Sequence, residues 1–418
     1  MKKYLYAALV LVFVVAGVGS SAVASPDARE SVTLTISRWA GPHADDQIEV
    51  IKQFEDETGI NVVVDAIDYG QLYQKQVLNM STATGGYDLV WAQEVWLPDY
   101  ASKGFLLSLN DFIDQGVVEG FDLSAYNQSL IATDTIDGEL YGLPTFIQTP
   151  ILVYNKEMIE KAGLAVPEAW TWEATLEIAK HFKDDGSGIA LPAMQGMAAV
   201  DVWAAIMRSN DGDYFDADGK LALTDPAVVE ATEYYKALVD VSMRGSTSWH
   251  YDDVNKALQF GQAPVGITIS GLAGFLENPE ESAVAGKLGY APLPFSKHTF
   301  GTLSLWSWCV TADSKHPQEA FQLAAWLTSA DVEKQQTQMN GQISAVVSLF
   351  NDEDLVSNMP WLPGVGAALE NSSTQPLLEG GSQLAERMQE MLSAVATGVE
   401  EPQAALESAQ SDLTALFE

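Results

Sequence analysis

The sequence predicts an α/β protein made of two domains with a cleft between them. Strand-like segments rich in β-branched residues alternate with amphipathic segments along the whole chain, the pattern of sheets covered by helices. The 418 residues exceed what one ordinary hydrophobic core holds. No Pro-rich or low-complexity linker separates two halves. The chain is therefore expected to cross between the domains more than once.

The first elements of the chain follow a strand, helix, strand order. Residues 32–36 alternate with β-branched side chains and predict a strand. Apolar side chains at Ile48, Ile51 and Phe54 then have helical spacing. Residues 60–64 predict the next strand. Short loops between such elements favour a parallel strand pair with a right-handed crossover.

The same order continues toward the C-terminus. Each helix is predicted from apolar residues three and four positions apart, and each strand from a short apolar or β-branched run. Further helices are predicted at residues 71–80, 96–103, 172–183 and 228–239, and further strands at residues 87–91, 151–154 and 265–270.

The N-terminus has the pattern of a secretory signal peptide. Lys2 and Lys3 precede an apolar run over residues 4–18, and residues 22–24 supply a small-x-small cleavage pattern. The prediction is a signal peptide at residues 1–24. A retained membrane anchor is the alternative, but the apolar run is shorter than the roughly 20 residues that span a bilayer. Export to the periplasm or the extracellular space is expected.

Cysteine usage indicates how an exported chain of this kind is held together. Cys309 is the single cysteine of the sequence and lies far from the N-terminus, so a lipoprotein anchor is not expected. One cysteine cannot form an intramolecular disulfide. Because Cys309 stands in an apolar run, it is expected to be a small buried hydrophobe.

The charge balance is strongly acidic, with 57 Asp and Glu against 21 Lys and Arg and a formal net charge of −36. Such a surface repels phosphate and anionic lipid, so nucleic acid is not an expected partner. The same excess of carboxylates keeps a protein hydrated in concentrated salt and fits a saline habitat.

Catalytic and metal-binding motifs are scarce. The five histidines show no H-E-x-x-H spacing, and the sequence has no nucleophile elbow, no phosphate-binding loop and no dinucleotide fingerprint. Residues 211–219 contain four aspartates but fail the EF-hand spacing, so a solvated hairpin turn is predicted. No catalytic residue, metal or cofactor is predicted. Two carboxylates far apart in sequence could still form a glycosidase site, and that alternative stays open.

An ordered series of short motifs links the chain to a known family. It begins with Tyr141-Gly-Leu-Pro144, Tyr154-Asn-Lys156, Ala162-Gly-Leu164, Pro167 and Trp170, and continues with residues 218–220, 224–226, 266–271, 314–317 and 320–328. With this order and spacing, the chain resembles extracellular solute-binding protein family 1 of ATP-driven importers, the maltose-binding-protein type. The resemblance covers nearly the whole chain after the signal peptide.

The resemblance implies a type II periplasmic binding protein fold that closes about a hinge. Each lobe would be a mostly parallel sheet flanked by helices, with crossings near residues 144–149, 290–293 and 339–343. The expected domain limits are residues 25–145 plus 291–340 for lobe one, and residues 146–290 plus 341–418 for lobe two.

The resemblance also implies a function without catalysis. A small carbohydrate, either a monosaccharide or an oligosaccharide, would bind in the cleft and pass unaltered to the transmembrane permease of an ABC importer. The protein is expected to be a monomer. A compatible solute such as a betaine, held by a cage of aromatic rings, is the alternative ligand, and a secreted glycoside hydrolase is the rival from another class.

A sugar site combines aromatic rings, which cover the apolar C–H faces, with amides and carboxylates, which bind the hydroxyl rim. Open α/β sheets place such residues at the carboxyl ends of strands. The resemblance implies ligand contacts by Trp39, Gly41, Pro42 and His43 after the first strand, by Trp91, Gln93 and Glu94 around the third, and by Gln148, Gly271 and Trp306.

Two departures from the family pattern affect these expectations. Gln148 stands where the maltose-binding type has an acid, so maltose itself is in doubt. A stacking tryptophan is missing after Gly271, and Trp203 or Trp249 is the expected replacement. For each tryptophan, packing in the core is the alternative role.

Overall fold

The computed structural model describes residues 32–40, 44–378 and 380–417, without the side chain of Ser382. The predicted signal peptide lies outside these residues. So do Gly41, Pro42 and His43 of the expected first ligand loop.

In the described residues the strands follow the predicted order, with small shifts at their ends. They are β1 (Thr33–Trp39), β2 (Asn61–Ile67), β3 (Leu89–Gln93), β4 (Thr135–Ile136), β5 (Glu139–Leu140), β6 (Leu143–Gln148), β7 (Pro150–Asn155), β8 (Ile189–Ala190), β9 (Val265–Ile269), β10 (Leu288–Ala291), β11 (Gly301–Thr302), β12 (Ser304–Val310) and β13 (Ser372–Ser373).

The helices fill the intervals between the strands. They are α1 (Ala44–Thr58), α2 (Tyr69–Ser81), α3 (Leu97–Ser102), α4 (Asn110–Asp114), α5 (Gln128–Thr133), α6 (Lys156–Lys161), α7 (Trp172–Phe182), α8 (Met197–Ser209), α9 (Pro226–Asp240), α10 (Tyr251–Gln259), α11 (Ala273–Glu277), α12 (Pro317–Leu327), α13 (Ala330–Asn340), α14 (Glu353–Asn358), α15 (Leu362–Leu369), α16 (Gly381–Thr397) and α17 (Pro402–Phe417). No helix within the described residues has the length and apolarity that a bilayer crossing requires.

Local sequence signals explain where several helices begin. The side chain of Asn155 accepts a hydrogen bond from the backbone N–H of Met158 and caps α6. Thr171 caps α7 in the same way through the N–H of Ala174. Pro226 occupies the first turn of α9, where its missing N–H costs nothing.

The first sheet contains strands from distant parts of the chain in the order β2-β1-β3-β12-β6. β1 is parallel to β2 and to β3, as the strand, helix, strand order predicted. β12 is inserted antiparallel between β3 and β6. β6 therefore has the same direction as β3, although more than forty residues, three helices and two short strands separate them.

The second sheet has the order β10-β7-β9-β8. β7 is antiparallel to both of its neighbours, and β8 is parallel to β9. Its core includes the fully buried Trp172 and Trp203, and α16 and α17 pack against α8 and α9 on this side. The two sheets flanked by helices give the α/β architecture that the sequence predicted. The expectation of a mostly parallel sheet is wrong for the second sheet, because β7 reverses direction relative to both of its neighbours.

The chain passes between the sheets at several places. Thr149 alone separates β6 of the first sheet from β7 of the second. The chain returns between β10 and β12, and it leaves the first sheet again after α13. The lobe limits given above stay predictions, although β6 extends the first sheet to Gln148.

The acidic segment at residues 211–219 forms a turn. Phe215 and Leu221 make an antiparallel bridge, and the Asp216 carboxylate accepts hydrogen bonds from the backbone N–H groups of Asp218 and Lys220. The carboxylate is therefore used to stabilise the turn. Within the described part of the chain, no group of three or more His, Cys, Asp and Glu side chains is placed to hold a metal ion.

A buried carboxyl group links two of the crossing segments. Glu333 of α13 is fully buried. It accepts hydrogen bonds from the Thr145 hydroxyl of β6 at 2.5 Å and from the Gln342 side chain at 3.5 Å, in the segment after α13. Ile343 and Ala345 of that segment also exchange backbone hydrogen bonds with β6. Loss of solvent raises the pKa of Glu333 from 4.5 to about 8.

This raised pKa predicts that the free energy of unfolding falls as pH rises. Between pH 4.5 and about 8 the folded protein keeps the Glu333 proton that the unfolded chain has released. Folding is then linked to proton uptake, and one such group lowers stability by up to about 1.4 kcal/mol per pH unit. Urea unfolding at pH 5, 6, 7 and 8 and constant ionic strength measures this slope.

Glu333→Gln should make the slope shallower, because the amide has nearly the shape of the protonated carboxyl, can still accept the Thr145 hydrogen bond through its oxygen, and cannot ionise. The matched control is Glu177→Gln, which removes a carboxylate of α7 paired with Lys180 on the surface. An unchanged slope in Glu333→Gln, or an equal change in the control, would contradict the assignment.

Candidate ligand-binding cleft

A cavity of about 870 Å³ lies between one edge of the first sheet and the helices α8 and α16. One wall comes from the start of α2, the loop after β3 and the start of β12. The other comes from α8, Tyr214 and the segment leading into α16. Residues that line the cavity include Tyr69, Tyr73, Gln93, Glu94, Trp96 and Ser304 on the first wall, and Met197, Asp201, Tyr214, Gln375, Leu384 and Met388 on the second.

The first wall follows from the strand directions in the first sheet. β1, β2, β3 and β6 are parallel to one another, so their carboxyl ends meet at the same edge. β12 runs the opposite way and brings its amino end to that edge. In this register Trp306 lies beside Gln93, and Ser304 lies beside Gln148.

Four aromatic rings form a continuous group at this edge, Trp39, Tyr69, Trp96 and Trp306. The rings of Trp39 and Trp306 are stacked with centroids 6.0 Å apart, and Trp96 meets Trp306 edge-on at 5.5 Å. Tyr69 stacks on Trp96 at 6.2 Å and is about half exposed. Tyr69 and Trp96 face the cavity, and the buried Trp306 supports them from behind.

Hydrogen bonds fix the polar residues of the first wall. Gln93 accepts from the Tyr69 hydroxyl and donates to the Ser304 hydroxyl, both at 2.9 Å. Glu94 accepts from the backbone N–H of Leu305, also at 2.9 Å. Gln93 and Glu94 are thereby held toward the cavity by β12.

Glu94 is buried at 3% exposure, and burial raises the pKa of its carboxyl to about 8. Repulsion from Asp134 and Asp201 adds to the rise, while the bond from Leu305 opposes it. Asp134 lies in the core, where it accepts a hydrogen bond from Ser307. Asp201 lies on the other wall of the cavity.

Asp201 is the acidic residue of the second wall. It is a half-buried residue of α8 and accepts a hydrogen bond from the Gln375 side chain at 3.1 Å. Gln375 in turn accepts from the Tyr214 hydroxyl at 2.8 Å. Desolvation raises the pKa of Asp201 to about 7. Each wall thus presents a carboxyl group of raised pKa to the same cavity.

The structure places the expected site residues in different environments. Gln93 and Glu94 line the cavity, and Trp39 and Trp306 belong to the ring group behind it. Gln148 is half-buried at the end of β6, next to Gly271. A Cβ atom on Gly271 would lie 2.8 Å from the Gln148 amide nitrogen, so glycine permits this close approach.

Three other tryptophans of the expected set do not line the cavity. Trp91 is 1% exposed and packs between Trp306 and Trp308. Trp203 is fully buried, and its indole N–H donates to Thr232 at 2.8 Å. Trp249 is half-buried near Gly245. Buried Trp91 and Trp203 have no surface for a ligand, so the structure supports the packing role for both.

Sequence reasoning missed Tyr69, Trp96, Asp201, Tyr214 and Gln375. Asp201 had a detectable signal, because it is the one charged side chain between Met197 and Ala205 in an otherwise apolar helix. Gln375 had no such signal in the sequence, because it lies outside helices and strands and 174 residues from Asp201, to which it donates a hydrogen bond.

A comparison with known proteins identifies the family. The family model of the bacterial extracellular solute-binding protein matches residues 41–334, well over half of the chain.

The chain belongs to the bacterial extracellular solute-binding protein family.

A curated relative of this solute-binding protein comes from Sinorhizobium fredii and is described as a probable amino-acid ABC transporter periplasmic-binding protein. It is 27% identical over 383 residues, which cover 87% of this chain and 83% of the relative. The predicted family and the role as the binding component of an ABC importer are confirmed. The family is extracellular or periplasmic, as expected.

Solved structures of solute-binding proteins share the fold. One from Agrobacterium radiobacter, in complex with ribitol, has a TM-score of 0.79 and 26% identity, and the match covers 92% of this chain and 99% of the other. The maltose-bound MalE3 protein of T. maritima has a TM-score of 0.81 at 20% identity, covering 92% and 100%. The predicted two-lobed binding protein fold is confirmed.

The ring group of this solute-binding protein predicts unequal stability losses on truncation. Trp306→Ala removes a buried ring that contacts four other aromatic rings, and should lower the free energy of unfolding by about 3–5 kcal/mol. Trp39→Ala removes a half-buried ring at the sheet edge and should cost less than half as much. Urea unfolding of both variants tests this. Equal losses would show that Trp306 is not the supporting ring.

Proposed function

We propose that this solute-binding protein captures a small carbohydrate or sugar alcohol in the cavity and delivers it to the transmembrane permease of an ABC importer. The observation that supports this most directly is the composition of the cavity walls. Tyr69 and Trp96 offer ring faces on one side, and Gln93, Glu94 and Asp201 offer hydrogen-bonding groups around them.

A pyranose or an extended polyol fits such a surface. Its C–H face packs on an aromatic ring, while its hydroxyls donate to carboxylates and exchange bonds with amides. The rings of the Trp39, Tyr69, Trp96 and Trp306 group lie on the first wall. On the second wall Tyr214 is buried, with its hydroxyl bonded to Gln375, so the exposed ring faces lie mainly on the first wall. This arrangement suits a sugar better than a quaternary ammonium ion, which needs rings converging from several sides.

The ligands of the similar structures point the same way, since one holds ribitol and another maltose. The name of the Sinorhizobium relative points instead to an amino acid. An amino acid brings a carboxylate that needs a cation or an array of N–H donors. The described residues lining the cavity include Glu94, Asp99 and Asp201 but no Lys, Arg or His. A carboxylate ligand is therefore disfavoured.

We also propose that export and oligomeric state are as the sequence predicts. The signal peptide at residues 1–24 is cleaved on export, and the mature protein acts as a monomer outside the cytoplasmic membrane. The two lobes, with the residue limits predicted from the sequence, rotate relative to each other about the segments where the chain crosses between them. The ligand leaves unaltered, because binding and release need no bond to be broken.

A thermal-shift screen tests this function. A ligand that binds only the folded protein stabilises it by about 2.7 kcal/mol at one hundred times its Kd. The panel contains monosaccharides, sugar alcohols, oligosaccharides, glycine betaine and amino acids. The expected result is a shift of several degrees with at least one carbohydrate or polyol. A shift confined to betaine or amino acids would refute the proposal.

Trp96→Ala should weaken binding of that carbohydrate by about tenfold or more, because a ring contact of about 1.5 kcal/mol is lost. Trp170→Phe, which alters a buried ring that packs on Tyr154 and does not line the cavity, is the control and should retain the wild-type affinity. Each variant is compared with its own unliganded melting point. Equal affinities of Trp96→Ala and the wild type would place the site elsewhere.

Incubation with the bound oligosaccharide separates binding from hydrolysis. Chromatography should return the oligosaccharide intact after prolonged incubation at stoichiometric protein. Cleavage would show that the protein hydrolyses the oligosaccharide and would overturn the proposed transport role.

A further inference from the structure

Among the residues that the structure describes, no cation is bonded to two of the carboxyl groups that face the cavity, those of Glu94 and Asp201. Glu94 is bonded to the neutral backbone N–H of Leu305, and Asp201 to the neutral amide of Gln375. They lie on opposite walls of one cavity and repel each other. A bound guest with a positive charge would supply the missing counter-charge to both carboxyl groups.

The cations near these walls are already engaged. Asp99, the third carboxyl group of the lining, is paired with Lys103 at 2.6 Å. Arg208 lies two turns beyond Asp201 on α8, where it bonds to Ser373 and Asp213. Its guanidinium lies 5.5 Å from the centre of the Tyr214 ring. Neither Lys103 nor Arg208 is bonded to Glu94 or Asp201.

Buried carboxylates are costly unless they are protonated or paired with a cation. Asp134 and Glu333 are enclosed in the core, where each accepts a hydrogen bond from a hydroxyl group. Glu94 and Asp201 differ because they border a cavity that can admit a guest. Burial raises the pKa of both groups, to about 8 and about 7, as expected of carboxyls that lack a counter-charge.

We propose that the natural ligand is a carbohydrate bearing a protonated amine, with the ammonium group bound between Glu94 and Asp201. This inference rests on the proposed carbohydrate function. An ammonium group has three N–H donors and can bond to carboxylates on both walls at once. The faces of Tyr69 and Trp96 also attract a cation. An acetylated amine has neither the charge nor the donors.

Isothermal titration at pH 7 with matched pairs of sugars tests the inference. The pairs are glucosamine with glucose, mannosamine with mannose, and the fully deacetylated chitosan disaccharide with cellobiose. Each pair differs chiefly in amine against hydroxyl. The amine of at least one pair should bind about tenfold or more tightly than its neutral partner, since a charge-assisted bond adds about 1.5–3 kcal/mol.

Two variants and a control locate the effect. Glu94→Gln and Asp201→Asn each keep the side-chain shape but remove one charge, and each should lower the preference for the amine severalfold or more while neutral sugars lose less. Glu177→Gln removes an exposed charge on α7 and should leave the preference unchanged, which excludes an effect of net charge alone.

The outcomes are distinguishable. If neutral sugars bind as tightly as their amines or more tightly, the inference fails and the carbohydrate function stands. If no carbohydrate of either kind binds, both fail. A preference that survives in both cavity variants would also overturn the assignment to Glu94 and Asp201. The comparison of amine sugars with neutral sugars on the wild-type protein tests the inference even if one variant does not fold.

Discussion

The structure depends on one register, the antiparallel insertion of β12 between β3 and β6. It sets Trp306 beside Gln93 and Ser304 beside Gln148, and it lets the Leu305 N–H and the Ser304 hydroxyl hold Glu94 and Gln93. A slip by one residue would turn each side chain of β12 to the other face of the sheet. The buried ring of Trp306 would then leave the ring group, and Glu94 would lose its donor. Core packing and ligand site are thus fixed by the same hydrogen-bond ladder.

That register also explains which parts of the site could be foreseen. Gln93 and Glu94 follow directly from a buried strand, and the loop after such a strand is a known place for ligands. Tyr69 occupies the equivalent place after β2, yet its role depends on a hydroxyl bond to Gln93 that no local pattern indicates. The fold was predictable because strand and helix periodicities are local, whereas this contact is not.

The second wall was harder to predict for the same reason. Asp201 belongs to α8, and its partner Gln375 lies beyond five further strands and seven further helices. The presence of a tryptophan was also a poor guide to which side chains lie at the cavity. Trp91 and Trp306 lie in neighbouring strands of one sheet and face each other at 4.7 Å. Trp91 is enclosed, while Trp306 supports the cavity wall, and only the packing of the layers distinguishes them.

Glu94 and Asp201 lie on separate walls of the cavity, whereas Thr149 marks a point where the chain crosses from the first sheet to the second. Thr149 is fully buried and bonded to the neighbouring segments, through Ser270 on the side of the second sheet and through the Thr302 carbonyl in the returning segment. A point tied in this way moves little when one sheet turns against the other. Glu94 and Asp201 lie on separate walls and change their separation with any such turn. Where both groups are ionised, their repulsion grows as the walls approach, and a guest that donates hydrogen bonds to both groups lowers it.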